Sequence, residues 1–385
     1  MNVMGGRGKE WSCVETIIVP VVVQRHTWRW SSGAGRVELG GRFACEGDML
    51  NFCRIVSLAV CAAAAALDAD AACTINQIAE IPVKMDGRQP IVAGAINGQS
   101  VRMLADTGAE ASTIIASAAE RLGLKERPLE GVMFFGAGGS SKATYVTVDK
   151  LQIGNFSSSR PLKMIVIGHG SPVSKGSVEV LLGADFLGQT DIEVDLAHNM
   201  IRMLRPKDCA EGDVVYWNEP YSMATLKEPN SGHFNVDVMI NGKRIEALLD
   251  TGATSSVLSA EGVHRTGLDP AGDGRAAGVS SGIGGRLVAV KSLVVDTFTF
   301  DQETIRNARL QVSDMFDARF SRAGSRSQSG ILDFPAMLLG ADFFLAHRVF
   351  IAKSEGKVYI TYNGGAIFDD PEKMAAAPKP SDAGN

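Results

Sequence analysis

Two aspartates stand in the same setting 144 residues apart. Leu104-Ala105-Asp106-Thr107-Gly108-Ala109 is echoed by Leu248-Leu249-Asp250-Thr251-Gly252-Ala253. An Asp followed by Thr-Gly at a strand end presents a carboxylate on a tight loop: Gly permits close backbone approach, and the Thr hydroxyl is free to bond across to a partner loop. If two such loops meet, the like charges cannot both ionise, so one carboxyl keeps a proton and the pair titrates as a unit. The ionised member then draws a proton from a bridging water while the protonated one polarises a carbonyl. That chemistry is hydrolysis of an amide without a covalent intermediate, and it calls for no metal and no cofactor.

The elements that must position these residues are duplicated with them. Asn97-Gly98 recurs as Asn241-Gly242, Ser112 as Ser256, and Gly123-Leu124 as Gly267-Leu268, all at the same offset, which marks a repeated module. Before each Asn-Gly lies a strand-like run (Ile91 to Ile96; Phe234, Val236, Val238, Ile240) and after it another (Val101 to Ala105; Ile245, Ala247, Leu249). Asn-Gly takes the positive φ values of a type I′ turn, so each pair reads as a β-hairpin that delivers the chain into Asp-Thr-Gly. Further on, Phe135-Gly136-Ala137-Gly138-Gly139 matches Ser281-Gly282-Ile283-Gly284-Gly285. With strand-like arms at Val146/Val148 and Val288/Val290, these read as mobile hairpins, and no helix pattern follows that would make them dinucleotide loops. The last shared block, Leu181-Leu182-Gly183-Ala184-Asp185-Phe186, returns as Leu338-Leu339-Gly340-Ala341-Asp342-Phe343, and each copy runs into a hairpin turning at Asn199 or Gly356. The glycine hairpins recur at an offset of 146 (282 − 136) and these blocks at 157 (340 − 183), so the second copy is 11 residues longer between them (157 − 146), with Ser321 to Ser329 as an exposed insertion.

The remainder of the chain bounds the reading. With 385 residues there is room for two domains, and 45% apolar with 21% charged residues suits globular cores. A net charge of −5 with scattered basic residues argues against nucleic acid as a partner. No two of the six cysteines form a Cys-x-x-Cys pair and no His-Glu-x-x-His occurs, so zinc and dithiol redox chemistry have no support. Residues 1–48 show no sustained period and are expected to come from an upstream start that is not translated. From Met49, a basic residue (Arg54), an apolar run to Leu67 and an Ala69-x-Ala71 end read as a secretory signal peptide over 49–72, too short for a membrane span. The mature protein is then periplasmic or secreted. Cys73 and Cys209 are its only cysteines, and in an oxidising compartment they are expected to form a disulfide; a lipid anchor on Cys73 is the alternative. Residues 207–231 read as a linker without an equivalent elsewhere, and 366–385 as a disordered tail.

In order and twice over, the Asp-Thr-Gly-Ala loops, flap glycines and Leu-Leu-Gly-Ala-Asp blocks resemble the retropepsin-like aspartic proteases. The resemblance covers about residues 81–206 and 232–363. It implies an all-β chain of two β-barrel lobes with pseudo-two-fold symmetry, lobe 1 over 73–206 and lobe 2 over 232–365. Because one chain carries both aspartates, it implies a monomeric endopeptidase with Asp106 and Asp250 as the dyad. Thr107, Gly108, Thr251 and Gly252 would support the loops, and Gly136, Gly138, Gly139, Gly282, Gly284 and Gly285 would sit in flaps over a peptide or protein substrate. In pepsin-like relatives a hydroxyl residue often follows Asp-Thr-Gly and bonds the ionised carboxylate. Here Ala109 and Ala253 stand there, which implies activity toward neutral pH. The rival expectation is a periplasmic peptide-binding or scaffold protein of the same fold that does not cleave. An aspartyl-phosphate chemistry would need a βα pattern after Asp106, which is lacking.

Overall fold

The protein is described here from a computed structural model over residues 73–136, 139–169, 177–229, 232–269, 275–281, 287–313 and 335–368. The expected upstream extension, signal peptide and Ser321–Ser329 insertion, and residues 369–385 of the expected tail, lie outside these residues.

Each half is built from its Asn-Gly hairpin outward. Gln89–Ile96 pairs antiparallel with Gln99–Ala105, and Asn235–Ile240 with Lys243–Leu249. Both turn residues take positive φ in each copy, 50° and 81° at Asn97 and Gly98, 48° and 74° at Asn241 and Gly242, the pattern whose twist matches that of the flanking strands. Period-two alternation puts Val236, Val238 and Ile240 into the core while their neighbours stay half-buried.

In the second half six strands close on themselves. The circuit runs through Asn235–Ile240, Lys243–Leu249, Met337–Leu339, Val257–Leu258, Glu303–Ser313 and Leu287–Phe300, and returns to the first by pairing Met239 with Thr299. The first half repeats it with Gln89–Ile96, Gln99–Ala105, Val180–Leu182, Thr113–Ile115, Leu162–Ile167 and Gly139–Val148. Here the last strand breaks at Asp149–Lys150, and its continuation Leu151–Ile153 closes the ring. Closure removes exposed strand edges. The Leu-Leu strands run parallel to the aspartate-bearing strand and antiparallel to the one after it. Covered on every side, they read as unbroken apolar runs rather than alternating ones.

The lobes are joined by a six-stranded antiparallel sheet in the order Thr74–Asp86, Met200–Lys207, Asp191–Asp195, His347–Ala352, Lys357–Tyr362, Ser222–Lys227. At its centre Glu193 pairs with Phe350, its own counterpart at the 157-residue offset, so the pseudo-two-fold axis passes there. The Glu193 carboxylate is fully buried and is met by Arg202, Arg348 and the Tyr216 hydroxyl. Ser222–Lys227, inside the segment expected to be a linker, does for lobe 2 what Thr74–Asp86 does for lobe 1: it pairs with the final hairpin and then, through Leu226, with the barrel strand at Val236. Six residues with one buried side chain carry no period to read. The preceding stretch packs Val214 and Trp217 onto the sheet with Phe350 and Tyr359, and the Cys73–Cys209 disulfide, the pairing expected from the sequence, ties it to the first strand. Phe368, at the start of the expected tail, is buried with its ring 4.9 Å from that of Phe298.

Candidate active site

The two Asp-Thr-Gly loops meet across the lobe boundary. Each follows its hairpin strand directly and is fixed where it leaves the barrel, because the Asp106 and Asp250 amides donate to Leu182 O and Leu339 O, both at 2.9 Å. Thr107 and Thr251 have no exposed surface and grip each other's loops. The Thr107 hydroxyl donates to Leu249 O at 2.7 Å and accepts from the Thr251 amide at 3.0 Å; the Thr251 hydroxyl donates to Ala105 O at 2.7 Å and accepts from the Thr107 amide at 3.0 Å. Each buried hydroxyl thus satisfies two backbone groups of the opposite lobe's entry, which leaves the loops one relative position.

The glycines let the carboxylates come together. A Cβ on Gly108 would lie 2.3 Å from Asp250 Cγ, and one on Gly252 2.4 Å from Asp106 Cγ, so each carboxyl packs over the other loop's glycine where any side chain would collide. Within its own loop Asp106 Oδ1 accepts from the Gly108 and Ala109 amides at 3.1 and 3.0 Å, and Asp250 Oδ1 from Gly252 and Ala253 at 2.9 and 3.1 Å. Burial pushes both carboxyls up; the Asp250 charge pushes Asp106 further, against the amide bonds that pull it down. On Asp250 the amides and the hydrogen bond from Asp106 work against burial. Both carboxyls are therefore pushed toward the protonated form, and so close a pair titrates as a unit. Ala109 and Ala253 supply only their amides.

Behind each loop sits a support that residue reading alone did not assemble. Asp185 Oδ1 accepts from the Ser112 amide and hydroxyl at 2.8 and 2.6 Å, and the Ser112 hydroxyl accepts from the Gly183 amide at 3.0 Å. Asp342, Ser256 and Gly340 repeat this with 2.8, 2.7 and 2.9 Å. The Ala184 and Ala341 amides donate to Ala109 O and Ala253 O, both at 2.7 Å. A Cβ on Gly183 or Gly340 would press on those same carbonyls at 2.8 Å. The Leu-Leu-Gly-Ala-Asp block is therefore the bracket that holds the Asp-Thr-Gly loop, which explains why Ser and Asp were duplicated together. Each recurs in its own duplicated motif, at offsets of 144 for Ser and 157 for Asp, and that recurrence was the signal for it.

The flap arms form antiparallel hairpins, Arg127–Gly136 with Gly139–Val148 and Arg275–Ser281 with the start of Leu287–Phe300, closing at the pairs Gly136–Gly139 and Ser281–Leu287. Gly138, Gly282, Gly284 and Gly285 lie outside the described residues. Among the described residues no cluster of His, Cys, Asp and Glu is arranged to hold a metal, and no helix is long and apolar enough to cross a membrane.

The sequence profile described as aspartyl protease matches the chain twice, over residues 92–186 and 236–343, one match in each lobe and each containing one Asp-Thr-Gly loop with its bracket. No curated protein matches the chain.

Proposed function

The chain belongs to the aspartyl protease family, and on that premise we propose that it is an aspartic endopeptidase whose dyad is Asp106 and Asp250 of one polypeptide. The observation that carries the reading is the facing of the two carboxyls over each other's glycines, where burial and mutual repulsion push Asp106 up. In the proposed reaction a water held between the carboxyls loses a proton to ionised Asp250 as its oxygen attacks the scissile carbonyl carbon. Asp106 gives its proton to the carbonyl oxygen; as the C–N bond of the tetrahedral intermediate breaks, Asp250 passes its new proton to the departing amine and Asp106 takes back a hydroxyl proton from the intermediate. The carboxylates act as base and acid in turn, so the dyad is regenerated. The amides that bond each Oδ1 hold the carboxyls in place and cost no reorganisation during the reaction.

Peptide would enter between the lobes under the flaps. Closure of Phe134–Tyr145 and Ser280–Val290 over it would exclude water, with Gly138 and Gly284 supplying the bend. Gly138→Val and Gly284→Val should then depress turnover more than melting temperature; unchanged kinetics in both would remove the flap role. We place the enzyme in the periplasm or outside the cell, supported by the signal-like segment 49–72 and by the Cys73–Cys209 disulfide, a bond that persists in oxidising compartments.

The test is cleavage of a denatured protein mixture and a peptide library by the protein expressed from Met49. Pepstatin-sensitive cleavage is expected. A well-folded preparation that binds peptides and cleaves none would favour the non-catalytic binding reading instead.

A further inference from the structure

The two lobes differ at three places that meet around one catalytic loop. At the 144-residue offset Arg88 corresponds to Gly232 and Ala111 to Ser255; in the brackets, Asp185 is exposed whereas Asp342 is only 5% exposed. These differences go together. Arg88, on the turn after Thr74–Asp86 of lobe 1, is 8% exposed, and its Nη1 donates across the lobe boundary to Ser255 Oγ at 3.1 Å. Ser255 is five residues after Asp250 and adjoins Ser256, whose amide and hydroxyl are held by Asp342. At the equivalent positions lobe 2 presents Gly232 to lobe 1, against Glu110, and lobe 1 carries Ala111 in place of the serine.

Electrostatics explains the pattern. A buried carboxylate is costly unless it is paired, and an unpaired one neutralises itself by taking a proton. Burial pushes Asp342 up; the Ser256 hydrogen bonds, the Phe343 amide and the Arg88 cation oppose it. Arg88 is the cation whose charge lowers Asp342 against the burial that raises it. Asp185 can rely on water and needs no such partner. A protonated Asp342 would lose acceptor capacity toward Ser256, and with it the tie through Ser256 Oγ to the Gly340 amide behind the Asp250 loop.

We propose that Arg88 is a positioning residue lent by the first lobe to the second: through Ser255 and the buried Asp342 it holds the Asp250 loop in its catalytic place, a duty with no counterpart on the Asp106 side. The inference rests on the dyad reading above, and it makes the two sides of a near-symmetric site unequal in what they require.

The experiment is a cycle of Arg88→Met, Asp342→Asn and both together, followed by thermal melting, which needs no activity, and by kcat, KM and pH profile. Arg88→Met should lower kcat about tenfold, a barrier change of the size a misplaced loop produces, with KM within about twofold. It should also move the acid limb of activity to higher pH, because Asp342 without its cation takes a proton earlier. In the double variant the anion is gone, so the acid limb should return and much of the lost melting temperature with it. Should Arg88→Met alone fail to fold, the double variant must fold. Wild-type kcat and acid limb in Arg88→Met would overturn the proposal. So would a double variant whose losses simply add, or one that also fails to fold. A wild-type protein without cleavage would count against the protease reading, and the melting cycle would still judge Arg88.

Discussion

At the scale of single residues, the site stores free energy in its two carboxyls. Both have folded-state values raised by burial, and Asp106 is raised further by Asp250. A carboxyl whose folded value lies above its unfolded one binds protons more tightly in the native state. It supports folding below the unfolded pKa of about 3.9 and weakens it as pH rises through the folded value. At neutral pH the pair is therefore a liability to stability, one that the proposed reaction would require. Asp106→Asn should raise the melting temperature at pH 7 and leave it little changed near pH 3, while cutting turnover by at least the ~10²–10⁴-fold of lost general acid–base catalysis. A lower melting temperature at pH 7 would contradict this. Ala109 and Ala253 bear on the same proton: without a hydroxyl beside the ionised carboxylate, activity should extend from mildly acidic toward neutral pH. Ala109→Thr with Ala253→Thr should shift the profile to lower pH, since a hydrogen bond to the charged form favours it. A wild-type optimum below about pH 3.5, under the reference value of a free Asp, would count against the argument. The identities of Asp106, Thr107, Gly108 and their copies were legible from the sequence because the chemistry admits few substitutes. Their partners were less so: Arg88 lies in lobe 1 and Ser255 in lobe 2, 167 residues apart, and only the folded chain joins them.

At the scale of elements, the hairpins were legible for a physical reason. Asn-Gly sets the turn and a half-buried strand must alternate, so Phe234 to Leu249 could be read almost residue by residue. Elements whose side chains are not sorted by burial gave no such signal. Ser222–Lys227 has no clean face, and the four-residue helix Ala184–Leu187 is too short to show a period. The brackets behind the catalytic loops were visible as duplicated motifs but not as a pairing, since a hydrogen bond between Ser112 and Asp185 leaves no pattern in spacing. They carry an unequal prediction. Ser256→Ala removes a hydroxyl that bonds the buried Asp342 and the Gly340 amide, and should destabilise by about 1–3 kcal/mol, the cost of stranding buried polar groups. Ser112→Ala should cost less, because exposed Asp185 can turn to water. Equal losses in chemical denaturation would argue that burial of the bracket does not matter.

At the scale of the whole molecule, duplication puts both Asp-Thr-Gly loops in one chain. The axis through Glu193 and Phe350 is what a symmetric dimer would have, and the shared sheet welds the halves together. The fold class and the two lobes could be anticipated because every module recurs in order; the sheet could not, since it pairs strands from opposite halves. The disulfide spans 136 residues and anchors the segment that covers this sheet. Cys73→Ser with Cys209→Ser should cost about 2–5 kcal/mol of stability, the usual range for a native disulfide, and leave kcat near wild type at temperatures where the protein stays folded. A kcat loss at such temperatures would tie the bond to the site itself. The account's central claim is that one polypeptide supplies both carboxyls. It is tested most directly by assaying peptide cleavage across a sizing column for the wild type, Asp106→Asn and Asp250→Asn. The account predicts pepstatin-sensitive activity in the monomer fraction of the wild type and almost none in either variant. Full activity in one Asn variant, or activity confined to a dimer fraction, would contradict it.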